Sequence, residues 1–304
     1  MVTASTASVR TWAEMIKLSH SVFALPFALM ATFLAGRNLP DSHRPHAGQL
    51  GLILLCMIAA RSVAMTFNRI ADAGIDARNP RTRDRPLVVG RLSIAAAWTF
   101  LLICAAAFVL GCLLFDRCFG NPWPVRLCGP VLLYLCGYSY TKRFTRFSHF
   151  YLGSAIAFSP VAAWIAIDPP SLGGTAIVLM AAVTLWIAGF DIIYACQDLE
   201  VDRAERLHSL PARLGAGPAL WMARGCHALT VLLLGAVAAL ADLGWLYLAG
   251  VAGVAVLLVV ENRLVRTHDL SRVNLAFFTL NGVVSLLLGG LAIADILLRL
   301  PAAL

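Results

Sequence analysis

The chain has 304 residues, of which 60% are apolar and only 13% charged, with a formal net charge of +8. A soluble globular protein carries about 25% charged residues, and so few charges would leave large apolar patches in water. A soluble fold is thereby excluded, and the absence of aromatic-basic interleaving argues against a nucleic-acid groove.

The first 17 residues, MVTASTASVRTWAEMIK, lack the apolar core of a signal peptide. They are expected to form a cytoplasmic, interfacial N-terminus, with the first span retained in the mature protein. Apolar runs with lengths suited to a ~30 Å hydrocarbon core then recur near 18–36, 50–67, 93–115, 127–141, 150–167, 174–196, 217–241, 243–260 and 273–298. The clearest is 93–115, which carries no charge; 127–141 is short and broken by Gly129, Pro130 and Gly137. The runs are continuous, not alternating, which predicts helices and not barrel strands. The expected fold is an all-α integral membrane bundle of nine helices, a single polytopic domain over 1–304. Trp12, Trp123 and Trp245 fall near span ends, where an aromatic belt would sit. The eight cysteines form no Cys-x-x-Cys pair and read as small buried hydrophobes, not as a metal site.

With nine spans, 17 Lys and Arg residues fall on the side of the N-terminus and five on the other, leaving Arg61 and Arg224 inside spans. The asymmetry places the N-terminus and the even-to-odd connections in the cytoplasm. Arginine outnumbers lysine 22 to 2, which points to a GC-rich bacterial gene and so to a bacterial inner membrane.

Half of the 16 acidic residues lie in two windows, NRIADAGIDARNPRTRDRPLVVGRLS from Asn68 and DIIYACQDLEVDRAERLHSLPARLG from Asp191. Each sits where an even-numbered span meets the cytoplasm. Asn68, Asp72 and Asp76 are spaced i, i+4, i+8, one helical face over about 12 Å. Asp191, Tyr194, Asp198 and Asp202 follow at i, i+3, i+7, i+11, again one stripe. Stacked like charges destabilise a helix unless something compensates them. Mg²⁺, which binds through one or two carboxylates plus substrate phosphates, would do so. The neighbouring arginines suit the remaining phosphate oxygens. Asp72 and Asp76 match Asp198 and Asp202 at an offset of 126, and each stripe is followed by Pro-x-x-x-Gly, at Pro86–Gly90 and Pro211–Gly215. Two related four-helix units plus one extra helix are the simplest account. Asp84, Glu200 and Glu205 are read as solvated loop charges, His208 as a solvated histidine, and His20, His149, His227 and His268 as interfacial or packing residues. Arg61, seven residues before Asn68, is an intramembrane charge and hence a candidate anion ligand, for a diphosphate or for an acceptor carboxylate.

The two stripes carry a resemblance. Asn68-x-x-x-Asp72-x-x-x-Asp76, followed by Arg85-Pro86-Leu87, resembles the first signature of the UbiA superfamily of intramembrane prenyltransferases. Asp191-x-x-Tyr194-x-x-x-Asp198-x-x-x-Asp202 resembles the second, and Tyr138-Ser139-Tyr140-Thr141-Lys142-Arg143-Phe144-Thr145 a third block. The resemblance implies a central cavity capped on the cytoplasmic side, with Mg²⁺ bridging both stripes to a prenyl diphosphate whose ionisation yields an allylic cation for an aromatic ring to attack. Asp72, Asp76, Asp198 and Asp202 are then expected to hold metal. Asn68, Arg61, Arg85, Lys142 and Arg143 are expected to bind substrate, and Asp191 and Tyr194 to be catalytic.

Tyr194-Ala195-Cys196-Gln197-Asp198 resembles enzymes of ubiquinone and menaquinone synthesis, whose acceptors are carboxylated phenols such as 4-hydroxybenzoate or 1,4-dihydroxy-6-naphthoate. Leu207-His208-Ser209-Leu210-Pro211 departs from the 4-hydroxybenzoate pattern toward the naphthoate branch. Haem, chlorophyllide or homogentisate prenylation stays open within the enzyme class, and an ion-coupled transporter outside it, although transporter sites lie near the midplane on broken helices. The expected partners are the two substrates and the bilayer, with no obligate protein partner.

Overall fold

The computed structural model describes residues 9–16, 23–39, 43–267, 269–270 and 272–300. Lys17, His20 and His268 lie outside them, as does the side chain of Arg10. Among the described residues the chain is helical, with one isolated bridge between Arg266 and Asp269 and no sheet. A short amphipathic helix, α1 (Val9–Ile16), precedes α2 (Leu25–Gly36), α3 (Ala47–Arg78), α4 (Ile94–Phe119), α5 (Trp123–Thr141) and α6 (Ser148–Ile167). Then come α7 (Gly174–Ala195), the short α8 (Leu199–Ala204) and α9 (Leu210–Leu214), and three long helices, α10 (Ala216–Leu240), α11 (Trp245–Leu264) and α12 (Asn281–Leu298).

Eight of the nine apolar runs each coincide with a helix of 18 residues or more, and the described part of the first, 18–36, with the shorter α2. Seven of them are long and apolar enough to cross a bilayer: α3, α4, α6, α7 continued to Ala204, α10, α11, and α12 with the turn before it. Two of the nine expected spans fall short of that measure. Helix α2 is described over 12 residues, and α5 carries Arg126 and Pro130 within its 19. Pro130 lies inside α5 and Pro160 inside α6, as membrane helices tolerate.

Helix α7 lies at the centre, with Leu179, Ala182, Trp186 and Ile187 almost fully buried. Small residues let its neighbours approach. A Cβ on Gly153 of α6 would sit 2.4 Å from the Thr184 carbonyl oxygen of α7, and one on Gly289 of α12 would sit 2.4 Å from Pro26 Cβ of α2. At one end of the bundle α1 packs across the start of α4, where Trp12 stacks on Phe100 at 4.6 Å and Met15 is buried beside Leu92 and Ala97. Trp123 and Trp245 are 46% and 74% exposed, as belt residues should be.

The two polar windows end alike. Pro86 and Pro211 are both buried, and Gly90 and Gly215 both hold positive φ, 73° and 86°, a conformation that glycine adopts without steric cost. The matching Pro-x-x-x-Gly segments share these two features and differ otherwise, since 86–90 is a turn short of α4 while Pro211 lies in α9 and Gly215 directly precedes α10.

Candidate active site

The first window behaves as its spacing predicts. Helix α3 runs unbroken to Arg78, and Asn68, Asp72 and Asp76 are 9%, 2% and 5% exposed, one buried polar face. The second window differs. Helix α7 stops at Ala195, and a single 3₁₀ turn, Cys196–Asp198, precedes α8. A 3₁₀ turn advances faster per residue than an α-helix, so Asp198 and Asp202 do not continue one straight stripe from Asp191.

The acids are held by bases from other segments. Lys142 Nζ donates to Asp72 Oδ2 at 2.6 Å, Arg143 Nη2 donates to Asp72 Oδ1 at 3.3 Å, and Asn68 Nδ2 donates to Asp72 Oδ2 at 3.0 Å. Arg85 pairs with Asp76. Arg81 donates from Nε and Nη2 to the two oxygens of Asp198 and from Nη1 to the Tyr194 hydroxyl at 2.8 Å, while Asn79 Nδ2 reaches Asp198 Oδ1 at 2.9 Å. Burial opposes the charge on the Arg81 guanidinium, but the hydrogen bond and charge of Asp198 outweigh it and raise the pKa above the ordinary arginine value. Glu205, read from sequence as a solvated loop charge, instead pairs through both oxygens with Arg78, whose hydrogen bonds hold its carboxyl below the usual range. The two windows are thus joined by Arg78–Glu205 and Arg81–Asp198, and Lys142 adds a third tie by accepting the His208 backbone N–H on its carbonyl at 2.7 Å. His208 is half-buried, with Nδ1 enclosed and unpartnered, and so is not the solvated histidine expected.

Asp191 is engaged separately. Its Oδ2 lies 2.7 Å from His149 Nδ1, and His149 Nε2 accepts the Leu210 backbone N–H at 3.2 Å. That acceptance leaves the imidazole proton on Nδ1, so His149 donates to Asp191. Tyr194 packs its ring on Phe277 at 4.3 Å and beneath the Arg81 guanidinium at 5.0 Å.

Below this polar layer, α2 to α6 enclose an apolar cavity of about 480 Å³. Arg61 and Tyr138 line its polar end, two turns of α3 from Asn68. Tyr138 lines the cavity one helical turn before Lys142, which bonds Asp72, and so stands between the cavity and the acid-base cluster. The Arg61 Nε is buried without a hydrogen-bond partner.

Sequence reasoning missed four members of this cluster. Arg69, 7% exposed and donating to Asn68 Oδ1 at 3.4 Å, had entered only the charge count. Arg81 is indistinguishable by spacing from the exposed Arg83 two residues on. Asn79 carries no charge to draw notice. His149 lies in an apolar run 42 residues from its partner.

The donor set fits Mg²⁺. The cluster offers hard carboxylate oxygens from two segments at one end of the bundle, and Asp72, Asp76 and Asp198 each rest on a cationic side chain. No group of three or more His, Cys, Asp and Glu able to hold a metal alone exists among the described residues. A metal there would draw further ligands from substrate phosphates, as Mg²⁺ ordinarily does.

The UbiA prenyltransferase family profile matches residues 24–283. A 4-hydroxybenzoate octaprenyltransferase of Chromohalobacter salexigens is 28% identical over 267 residues, covering 88% of this chain and 85% of that protein. One from Xanthomonas euvesicatoria is 32% identical over 238 residues, 77% of this chain and 75% of that protein. Among solved structures, the apo UbiA homologue from Aeropyrum pernix K1 superposes with a TM-score of 0.80 at 30% identity, covering 91% of this chain and 98% of that one. A UbiA homologue from Archaeoglobus fulgidus bound to GPP and Mg²⁺ shares the fold, with a TM-score of 0.69 at 18% identity, covering 94% and 99%.

Proposed function

We infer the reaction from one premise: the chain belongs to the UbiA prenyltransferase family. It is an aromatic prenyltransferase with multiple membrane spans. Within that class we propose Mg²⁺-dependent transfer of a polyprenyl group from polyprenyl diphosphate to the ring of a carboxylated phenol, of the 4-hydroxybenzoate or 1,4-dihydroxy-6-naphthoate type, for ubiquinone or menaquinone synthesis. The observation that carries this reading is the placing of Asp72, Asp76 and Asp198, each on a cationic partner, above an apolar cavity that ends at Arg61 and Tyr138. The names of the curated relatives support the 4-hydroxybenzoate side of it.

Asp72, Asp76, Asp198 and Asp202 would hold Mg²⁺, which when bound supplies positive charge to the leaving diphosphate. Lys142, Arg143, Arg85 and Asn68 are the proposed phosphate ligands, released from the acids as phosphate enters. Arg81, bidentate on Asp198, joins them. The cavity takes the tail and keeps water from the allylic carbon. Tyr194, tilted against Phe277 and under the Arg81 guanidinium, presents an aromatic face that stabilises a cation once Arg81 moves onto phosphate. Arg61 binds the acceptor carboxylate, which turns the ring toward that carbon. The C–O bond breaks first, with the diphosphate leaving on the bonding pair, and ring electrons then form the new C–C bond to the allylic cation. The proton displaced from the ring passes to Asp191, which His149 holds in place.

We further propose that the whole chain is one membrane domain in a bacterial inner membrane, with its N-terminus and both windows cytoplasmic. The 17-to-5 distribution of basic residues supports this orientation, and single cysteines at the exposed positions Ala77 and Ala204 test it. Labelling of either from the periplasm would reverse it.

The decisive assay offers purified protein geranyl or longer diphosphate with each acid, and homogentisate as a control, with products identified by mass spectrometry. A prenylated 4-hydroxybenzoate or dihydroxynaphthoate is expected, abolished by excess EDTA and restored by Mg²⁺. Full turnover in EDTA would refute the metal assignment, and prenylation of homogentisate alone would refute the acceptor class.

A further inference from the structure

A second polar site lies away from this cluster, in a groove of about 670 Å³ between α10 and α11. Helix α10 contributes Arg224, Ala228, Val231 and Leu232, which at i, i+4, i+7 and i+8 share one face. Helix α11 contributes Ala255 and Val259 from its middle, then Asn262, Arg263 and, just past its end, Arg266. The groove is thus graded, basic at the end where α11 terminates and apolar beyond it.

The groove has a built floor. Asn262 Nδ2 donates to His227 Nδ1 at 2.7 Å and to the Leu258 carbonyl at 2.8 Å, which ties α11 to α10 where basic gives way to apolar. His227, 2% exposed, is wedged against Gly189 of α7, where a Cβ would meet the ring at 2.4 Å. None of the three arginines has a carboxylate partner among the described residues. Arg224 lies over the Trp221 ring at 4.6 Å, and Arg266 pairs by backbone with Asp269.

A role in topology alone does not account for Arg224. It stands inside α10, about 12 Å from the start of the helix, where a guanidinium without an anion is costly. Three unpaired guanidiniums around one interhelical groove match a phosphate, which arginine binds through paired N–H donors. The apolar walls below them match an acyl chain, which a free inorganic ion lacks.

We propose that this groove binds an anionic glycerophospholipid, with its phosphate on Arg224, Arg263 and Arg266 and one acyl chain along Val231, Leu232 and Val259. Basic pockets between membrane helices recognise anionic headgroups by this chemistry. The site shares no residue with the catalytic cluster, so it stands or falls apart from the prenyl-transfer reading.

The test uses the full-length protein in phosphatidylcholine nanodiscs, with and without phosphatidylglycerol, read by thermal unfolding and by native mass spectrometry of retained lipid. Phosphatidylglycerol is expected to raise the Tm of the wild type and to be retained. The triple variant Arg224→Gln, Arg263→Gln, Arg266→Gln should lose the shift and weaken retention roughly tenfold or more, as befits the loss of charge-assisted contacts. Prenyl transfer by the triple variant in pure phosphatidylcholine should equal that of the wild type. If the triple variant does not fold, Arg224→Gln alone should reduce the shift, and Val231→Trp, which fills the apolar wall but spares the arginines, should reduce retention. An equal shift from inorganic phosphate or from phosphatidylcholine, or an undiminished shift in the arginine variants, would overturn the proposal.

Discussion

Arg81 grips both carboxylate oxygens of Asp198, Nε to Oδ1 at 2.9 Å and Nη2 to Oδ2 at 2.5 Å, from 117 residues earlier in the chain. The contact joins the two acidic windows and occupies a proposed metal ligand. Charge-assisted hydrogen bonds contribute roughly 1.5–3 kcal/mol. Arg81→Ala should therefore lower kcat/KM by roughly 10- to 100-fold, mostly through the KM for prenyl diphosphate. Arg81→Lys should recover part of the loss, since it keeps the charge without the fork. Wild-type kinetics in Arg81→Ala would make the contact a loop tie only.

His149 should matter through Asp191. His149→Phe keeps the buried ring volume but removes the Nδ1–H that Asp191 accepts and the Nε2 that takes the Leu210 N–H. A fall in kcat of roughly tenfold is expected, about one hydrogen bond to a charged group, with KM for diphosphate little changed. Asp191→Asn in the His149→Phe background should then cost far less than Asp191→Asn alone, because coupled residues are not additive. Independent, fully additive losses would refute a positioning role.

How far the sequence alone could reach is visible in these two residues. Helix existence was legible because a lipid-facing helix must be apolar along its length, and the Asn68, Asp72, Asp76 face was legible because α3 continues regularly past it. The stripe after Asp191 was not. Its regular spacing hides the 3₁₀ turn at Cys196–Asp198, which nothing in Cys196-Gln197-Asp198 announces. Partner choice was hidden as well. Arg81 and Arg83 have identical local chemistry, and only the approach of the second window selects Arg81. His149 reads as a core histidine until α7 brings Asp191 to its Nδ1. Periodicity reports faces within one helix, and these contacts lie between helices.

The Arg78–Glu205 pair should loosen in acid. The hydrogen bonds from Arg78 lower the Glu205 pKa in the folded protein. Its contribution is then fully present above the ordinary glutamate value, about 4.3, and is lost as pH falls through the lowered folded value. The pair is exposed, so the effect should be small and weakened by salt. Spin labels at Ala77 and Ala204 should report a wider distance distribution only once pH falls through the lowered folded value, below the ordinary ~4.3, and Glu205→Gln should show the wide distribution already at neutral pH. A distribution unchanged by Glu205→Gln would mean that the contacts on Asp198 and the Lys142–His208 bond hold the windows together without it.

Lys142 and Arg143 supply the last test, because two roles predict opposite results for one swap. As topology signals they count only as two positive charges at the end of α5, and Lys142→Arg with Arg143→Lys leaves that count unchanged. As ligands they are not equivalent. Lys142 places a single ammonium 2.6 Å from Asp72 Oδ2. Arg143 donates from Nη2 alone to the Ala71 carbonyl at 2.6 Å and to Asp72 Oδ1 at 3.3 Å, with its guanidinium over the Tyr140 ring at 5.0 Å and its other nitrogens left for a ligand. An ammonium at position 143 cannot bind Asp72 through one nitrogen and present a second to a phosphate or carboxylate oxygen, and a guanidinium at 142 is broader than the ammonium that reaches the buried Asp72. The swapped protein should insert with unchanged orientation, by the cysteine labelling at Ala77 and Ala204. Its KM should rise roughly tenfold, the scale of one charged hydrogen bond, for prenyl diphosphate if the pair binds phosphate, or for the aromatic acid if it binds the acceptor carboxylate. Unchanged KM for both substrates would return Lys142 and Arg143 to a purely topological role and leave the diphosphate to Arg81 and Arg85.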